Sequence, residues 1–192
     1  MPDWTLAAAG HWERTYGRPA VLYLAQTVRP AEATMIRASQ RHGRAHDITL
    51  LILGPDGRLA VIAKHSYPPG AFRAPSGGLR PDEPLEVGAL REAYEETGLA
   101  IQLGRYLLRV LALFTTERDT IPWLTHVFTA RVVGGQLASH DPQEIRDVAW
   151  VTLADLQGPI RRALLADGRP LFRYRVRLTD EAVACLARNC PG

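Results

Sequence analysis

Three carboxylates crowd into one helical turn between Pro84 and Gly98. The stretch PLEVGALREAYEETG has the composition of a helix over residues 84–97, with a proline suited to its first turn and a glycine suited to its stop. At about 100° per residue, Glu92, Glu95 and Glu96 share a face, because positions i, i+3 and i+4 are neighbours. Val87, Leu90 and Tyr94 then point the opposite way, with Ala89 and Ala93 at the margin, so an apolar side is expected to pack on a sheet. A solvated helix ordinarily alternates signs, whereas like charges on one face cost a few tenths of a kcal/mol per pair unless neutralised. A hard divalent cation such as Mg²⁺ binds carboxylate oxygens and keeps sites for water and phosphates. Charge alone therefore favours a cation site over a solvated acidic face. Arg91 precedes Glu95 by four residues and can pair with it. Gly88 costs about 1 kcal/mol relative to Ala in a helix interior. Room for a phosphate or metal at the backbone, or a packing contact, would account for it.

At 192 residues the chain is expected to form a single domain, residues 1–192, with a core at about 45–165 and extensions at both ends. Its 46% hydrophobic and 22% charged residues are those of a soluble globular protein, and a net charge of +3 does not favour a nucleic-acid partner. Histidines cluster in the basic stretch RASQRHGRAHD. No apolar run approaches the length of a membrane span. The start MPDWTLAAAGHWERTYGR lacks the pattern of a secretory signal, so a cytoplasmic location is expected. Cys185 and Cys190 read as ordinary thiols, too few for a zinc site or a disulfide framework.

The segment DITLLILGPDGRLAVIAKH reads as a hairpin, with strands at 47–53 and 58–64 around a Gly-Pro-Asp-Gly turn. HSYPPGAFRAPSGGL follows as a loop; beyond the acidic helix, YLLRVLALFTT and TIPWLTHVFTARVVGG read as strands. A strand near 146–151 precedes a helix to about 166. This order predicts an α/β chain with a mixed sheet covered by helices on both faces. In the flanks, AVLYLAQTV reads as a strand, PAEATMIRASQR as a helix and TDEAVACLARN as a small helix. In LFRYRVRL, Arg173, Arg175 and Arg177 alternate with Tyr174, Val176 and Leu178, the period of a strand. That strand is expected either at a sheet edge with its charges outward or as a row of phosphate contacts.

Gly77, Glu83, Arg91, Glu92, Ala93, Glu95, Glu96, Gly98 and Leu99 match every fixed position of the Nudix box, G-x5-E-x7-R-E-U-x-E-E-x-G-U, with Ala93 as the smallest residue to count as aliphatic. The chain thus resembles the Nudix hydrolases, and the resemblance implies the family's α/β/α sandwich with a mixed β-sheet. It further implies hydrolysis of the pyrophosphate bond in a nucleoside diphosphate linked to another group X, with Mg²⁺ or Mn²⁺. By the same carry-over Glu92 and Glu96 are the principal metal ligands, Glu95 is a further ligand or water-orienting group, and the Ser76 carbonyl joins them. Arg91 would hold carboxylates in place and Glu83 would support the loop–helix junction. Glu144 is the candidate for a further acidic residue, ahead of Asp141 and Glu117, and the general base is expected to be Glu95 or Glu144.

Lys64, Arg73 and Arg80, in or beside the implied site loops, are candidate phosphate contacts. Tyr67, Phe72, Phe114 and Trp123 could stack on a base. The proline that often follows the box in ADP-ribose members is missing, with Phe114 near its place and Pro122 the next proline; the diadenosine, coenzyme A and NADH sub-patterns are also missing. The expected substrate is a nucleoside diphosphate derivative such as ADP-ribose or a sugar nucleotide. The alternatives are a nucleoside triphosphate, an RNA 5′ end, or a sensor module that binds nucleotide without turnover. Pairing into a homodimer is a further expectation carried by the resemblance.

Overall fold

Alternation along the strand His46–Leu53 determines which layer each side chain joins. The computed structural model describes residues 4–41, 46–80 and 83–188. Cys190, the end of TDEAVACLARN and part of the basic stretch lie outside them. The elements are α1 (Trp4–Tyr16), β1 (Ala20–Thr27), α2 (Pro30–Arg41), β2 (His46–Leu53), β3 (Leu59–Lys64), β4 (Ser76–Gly78), α3 (Leu85–Thr97), β5 (Leu99–Thr115), β6 (Thr120–Gly135) and β7 (Ile145–Val151). They continue as α4 (Leu153–Asp155), a π-helical turn (Leu156–Ile160), α5 (Arg161–Asp167) and α6 (Pro170–Ala187). Ile48, Leu50 and Ile52 enter a core with Trp12 of α1 and Leu85, Ala89 and Ala93 of α3. Leu51 enters the opposite core with Leu164 of α5 and Phe172, Tyr174 and Val176 of α6. Helices thus cover both faces of a mixed seven-stranded sheet, ordered β1-β5-β6-β2-β3-β7 with β4 on β2. β1 runs parallel to β5 and β2 parallel to β6.

The turn at 54–57 forms as expected, closed by Gly57 N–H to the Gly54 carbonyl at 3.0 Å, with Gly57 at φ 77°. The hairpin does not continue, because β2 and β3 meet only at Leu53 and Leu59. The expected loop re-enters between them. Arg73 exchanges both backbone bonds with Ile62 of β3, and β4 pairs with Asp47, Ile48 and Thr49 of β2. A second difference is β5, which begins directly after Gly98 and is longer than the strand YLLRVLALFTT.

LFRYRVRL is not a strand but the first half of α6, and the C-terminal helix expected separately is its continuation. Phe172 and Val176 lie four residues apart on one side, while Tyr174, Leu178, Ala182 and Cys185 lie on nearly the opposite side, and all six are buried. A helix covered on two sides produces a two-residue alternation over a short window. α3 also differs from expectation, since Val87, Leu90 and Tyr94 are 52%, 44% and 51% exposed. Leu85, Ala89 and Ala93 face the sheet, and Glu92 and Glu96 lie within that same buried arc. The small Ala89 and Ala93 let the helix approach closely, so the acidic face is carried inward while Val87, Leu90 and Tyr94 stay outside.

α1 is pinned by a polar chain that runs from a partly exposed ion pair into the core. Glu13 accepts from Arg109 at 2.6 Å, Arg109 Nε donates to the Tyr106 hydroxyl at 3.4 Å, and that hydroxyl lies 2.5 Å from His126 Nδ1. His126 Nε2 lies 3.1 Å from His46 Nδ1, and the Trp12 ring meets His126 edge-on at 5.1 Å. With Tyr106 donating to Nδ1, His126 is neutral and donates from Nε2. Burial lowers the pKa of His126 well below the ordinary range, helped by the neighbouring His46 and Arg109, and burial lowers His46 to about 4. Both rings are neutral in the fold, whereas unfolded histidines take up protons near pH ~6.5. Unfolding therefore binds protons below that pH, and stability falls as pH drops from about 6.5 toward 4. Urea midpoints should fall between pH 7 and pH 5, with the His126 ring resonances holding their neutral shifts throughout; titration of His126 near its ordinary pKa would refute this account.

Candidate functional site

The like charges of α3 share a small number of guanidinium groups. Arg91, one residue before Glu92, grips Glu83 through Nε and Nη2, both at 2.8 Å. Its Nη1 donates to Glu92 at 2.8 Å and to Glu95 at 3.0 Å, and Nη2 also reaches the Gly78 carbonyl at 3.1 Å. The Arg91 guanidinium holds the Glu83 carboxyl down at about 2. Burial raises the pKa of Glu92 against the pull of Arg91, and Glu96 and Glu95 add to the rise.

Glu96 has a different partner. It accepts from Arg73 Nη2 at 2.9 Å and from the Ser76 amide at 2.8 Å. Arg73 is only 4% exposed and also donates to the Ala74 carbonyl, the Ser76 hydroxyl and the Tyr67 hydroxyl. Burial opposes its charge, yet Glu96, Tyr67 and Asp47 raise its pKa above the ordinary value. Removing either partner of this pair would strand a buried charge.

A cleft of about 310 Å³ opens over these groups. Its walls include Ser76, Gly77 and Gly78 of β4, Glu92, Glu95 and Glu96 of α3, Lys64 of β3, and Asp141 and Glu144 from the β6–β7 connection. That connection is held by the end of α3: the Ala138 amide bonds to the Thr97 carbonyl, and the His140 and Asp141 amides both bond to the Glu95 carbonyl. Carbonyls left unpaired at a helix C-terminus thus recruit the loop. Lys64 pairs with Glu144, and burial, with repulsion from Arg73, lowers its pKa to about 8.

The structure places the other candidates unequally. Phe114 and Trp123 line the cleft. Arg80 is 62% exposed along its side chain, stands 3.8 Å from Glu95 and is not part of the cleft wall. Arg73 lines the cleft with its donors turned to protein acceptors, so it is neither a surface cation nor an open phosphate contact. Tyr67 packs edge-on against Phe172 at 4.7 Å, Phe72 borders a separate small cavity, and Glu117 is outside the cleft.

Several cleft residues were missed in the sequence: Asp47, Met35, Ile36, Ser39, Leu171 and Arg175 as a single inward group. Asp47 had a readable signal, a carboxylate heading the mostly apolar run ITLLIL. The others lie in α2 and α6, outside the stretch that carries the box.

Gly77 and Gly88 are small for different reasons. A Cβ on Gly77 would lie 1.8 Å from the carboxyl carbon of Glu92, so the glycine lets that carboxylate pack on backbone. A Cβ on Gly88 would meet Leu79 Cδ2 at 2.4 Å and Glu83 Oε2 at 2.9 Å; the packing explanation holds there, not room for a ligand.

The donors facing the cleft are hard oxygens, and the desolvated Glu92 gains from any added positive charge. This donor set fits a hard divalent cation. Among the described residues no three His, Cys, Asp or Glu side chains stand grouped to grip an ion in their present rotamers. Arg91 and Arg73 hold the key carboxylates instead.

The Nudix domain profile matches residues 43–173. The chain belongs to the Nudix family. It is 32% identical over 107 residues to a protein named as mutator protein MutT4 in Mycobacterium tuberculosis, a match covering 56% of this chain and 42% of that one. This Nudix chain thus spans about two-fifths of that relative's length. It is 28% identical over 134 residues to an RNA pyrophosphohydrolase of Novosphingobium aromaticivorans, covering 60% of this chain and 83% of the relative. In fold it is similar to an ADP-ribose pyrophosphatase from Streptococcus suis, with TM-score 0.50 and 18% identity over 77% of this chain and 92% of that one. Among the described residues no helix is long and apolar enough to cross a membrane.

Replacing Gly88 with Ala tests the packing account. Helix propensity alone predicts a gain of about 1 kcal/mol, whereas the contacts with Leu79 and Glu83 predict a net loss of about 1–3 kcal/mol from overpacking. Urea unfolding decides between them; a stabilised variant would contradict the contact.

Proposed function

We propose that this Nudix protein hydrolyses the pyrophosphate bond of a nucleoside diphosphate linked to a second group, with Mg²⁺ or Mn²⁺ held by Glu92, Glu95, Glu96 and the Ser76 carbonyl. One observation carries this reading: those residues converge on a single cleft. The chemistry supplied by such a cation is neutralisation of phosphate charge and acidification of a water. Arg91 orients Glu92 and Glu95 through its Nη1, and its grip on Glu83 ties them to the β4–α3 junction. Arg73 and the Ser76 amide do the same for Glu96.

The proton taken from water goes to Glu95 or Glu144. Both side chains are substantially exposed, and each has a cation beside it, Arg91 for Glu95 and Lys64 for Glu144. ADP-ribose and sugar nucleotides are the first substrates to test. A second reading, hydrolysis at an RNA 5′ end, draws support from the Novosphingobium relative and would bring a steep salt dependence of RNA binding.

The deciding assay offers ADP-ribose, sugar nucleotides, nucleoside triphosphates and 5′-triphosphorylated RNA with Mg²⁺ or Mn²⁺ and measures released phosphate products. Chelation should abolish turnover. Glu96→Gln and Glu92→Gln should each lower kcat by a factor on the order of 10²–10³. Because Glu96→Gln leaves the buried Arg73 without its carboxylate, its rate is read where circular dichroism shows the variant folded, with a lowered urea midpoint expected. Of Glu95→Gln and Glu144→Gln, the variant that removes the acidic limb of the pH–rate profile identifies the base. Unchanged nucleotide binding with no turnover in wild type would instead mark a sensor.

A further inference from the structure

The arginines at 173, 175 and 177 do not form a row. On α6, Arg173 is exposed and Arg177 is mostly exposed and pairs with Glu181 at 2.8 Å. Arg175 turns toward the sheet, its side chain 24% exposed, and lines the cleft. Its Nη1 donates to Asp47 Oδ2 at 3.3 Å and to Thr49 Oγ1 at 3.5 Å. Among the described residues, its Nε and Nη2 have no acceptor. Arg73 is saturated by protein acceptors and Lys64 has its charge paired with Glu144, whereas Arg175 is a cleft guanidinium with two nitrogens to spare.

Strand pairing fixes what lies on either side of it. Asp47 and Thr49 pair with Gly78 and Ser76, so on that side Arg175 adjoins the segment facing the α3 carboxylates. Asp47 also pairs with Thr125 of β6, and Trp123 lies two residues back on the same face. Trp123 in turn pairs with Ala112 of β5, two residues from Phe114. The Phe114 and Trp123 rings, 6.5 Å apart, share this end of the cleft with Met35, Ile36 and Leu171, and Met35 is 62% exposed. The cleft therefore runs from carboxylates, through one open guanidinium, to a strip of aromatic and thioether surface.

We propose that this α2–α6 end is a nucleoside subsite: Arg175 takes the charge of a phosphate, and the Trp123–Met35 strip takes the planar ring attached to it. A guanidinium fork suits phosphate oxygens, and aromatic and methionine side chains offer polarisable surface to a base. Asp47 is a positioning residue, holding Arg175 through one nitrogen and leaving the other two for the ligand. This inference rests on the nucleotide reading above and deepens it.

The test measures binding apart from turnover. AMP, GMP, CMP and UMP contain no anhydride bond, so calorimetry with magnesium reads equilibrium affinity, with inorganic phosphate as the ring-free reference. At least one nucleotide should bind about tenfold or more tighter than phosphate. Trp123→Leu should erase that advantage and leave phosphate affinity intact. Arg175→Met should weaken both nucleotide and phosphate about tenfold. Because Arg175→Met strands the buried Asp47, the double variant Asp47→Asn/Arg175→Met serves where the single one does not fold. Nucleotides binding no tighter than phosphate, or folded variants keeping wild-type affinities, would overturn the subsite. Turnover that persists in such variants would leave the hydrolase reading standing, whereas ring-selective binding without any turnover would strike that reading and leave the subsite.

Discussion

Everything at this site depends on two arginines that keep an acidic helix turn inside the protein. Glu92 and Glu96 are 7% and 6% exposed, an arrangement that like charges and desolvation both oppose. Arg91 offsets the cost on one side, spreading its guanidinium over Glu83, Glu92 and Glu95, and Arg73 offsets it on the other through Glu96. The two differ in origin. Arg91 is local to the helix, while Arg73 reaches Glu96 only because the loop after β3 returns into the sheet.

That return has further consequences. Inserting Arg73 to Gly78 between β2 and β3 parts the hairpin just past its turn and lays the β4 backbone beneath α3. Gly77 can then sit against the Glu92 carboxylate, and the Ser76 amide can meet Glu96. On the opposite side of β2, the alternating side chains Asp47 and Thr49 meet Arg175 of α6. One parted strand pair thus joins the acidic helix on one face of the sheet to the C-terminal helix on the other, and the cleft passes through the joint.

Much of the architecture was legible in residue order. The turn at 54–57, α2, β6 and the αL stop at Gly98 fall where local chemistry puts them. The spacing of Arg91 and Glu95 foretold their pairing. Two patterns misled for the same reason. Val87, Leu90 and Tyr94 look like a core face, and LFRYRVRL looks like a strand, if apolar residues are assumed to seek a single buried side. α3 buries carboxylates because Arg73 and Arg91 receive them, and α6 buries two sides because it lies between the sheet and the α4–α5 segment.

By itself the sequence determined the acidic turn, its brackets and its kinship with the Nudix box, since these depend on spacings within a few helical turns. Tertiary structure alone decided that Arg73 is spent on Glu96, and that Arg175, Asp47 and Met35 face a common cleft. Such contacts reach beyond any single helix or strand, across 23 positions for Arg73 and Glu96 and 128 for Asp47 and Arg175. Strand order brings them together, and no local pattern in the chain records it.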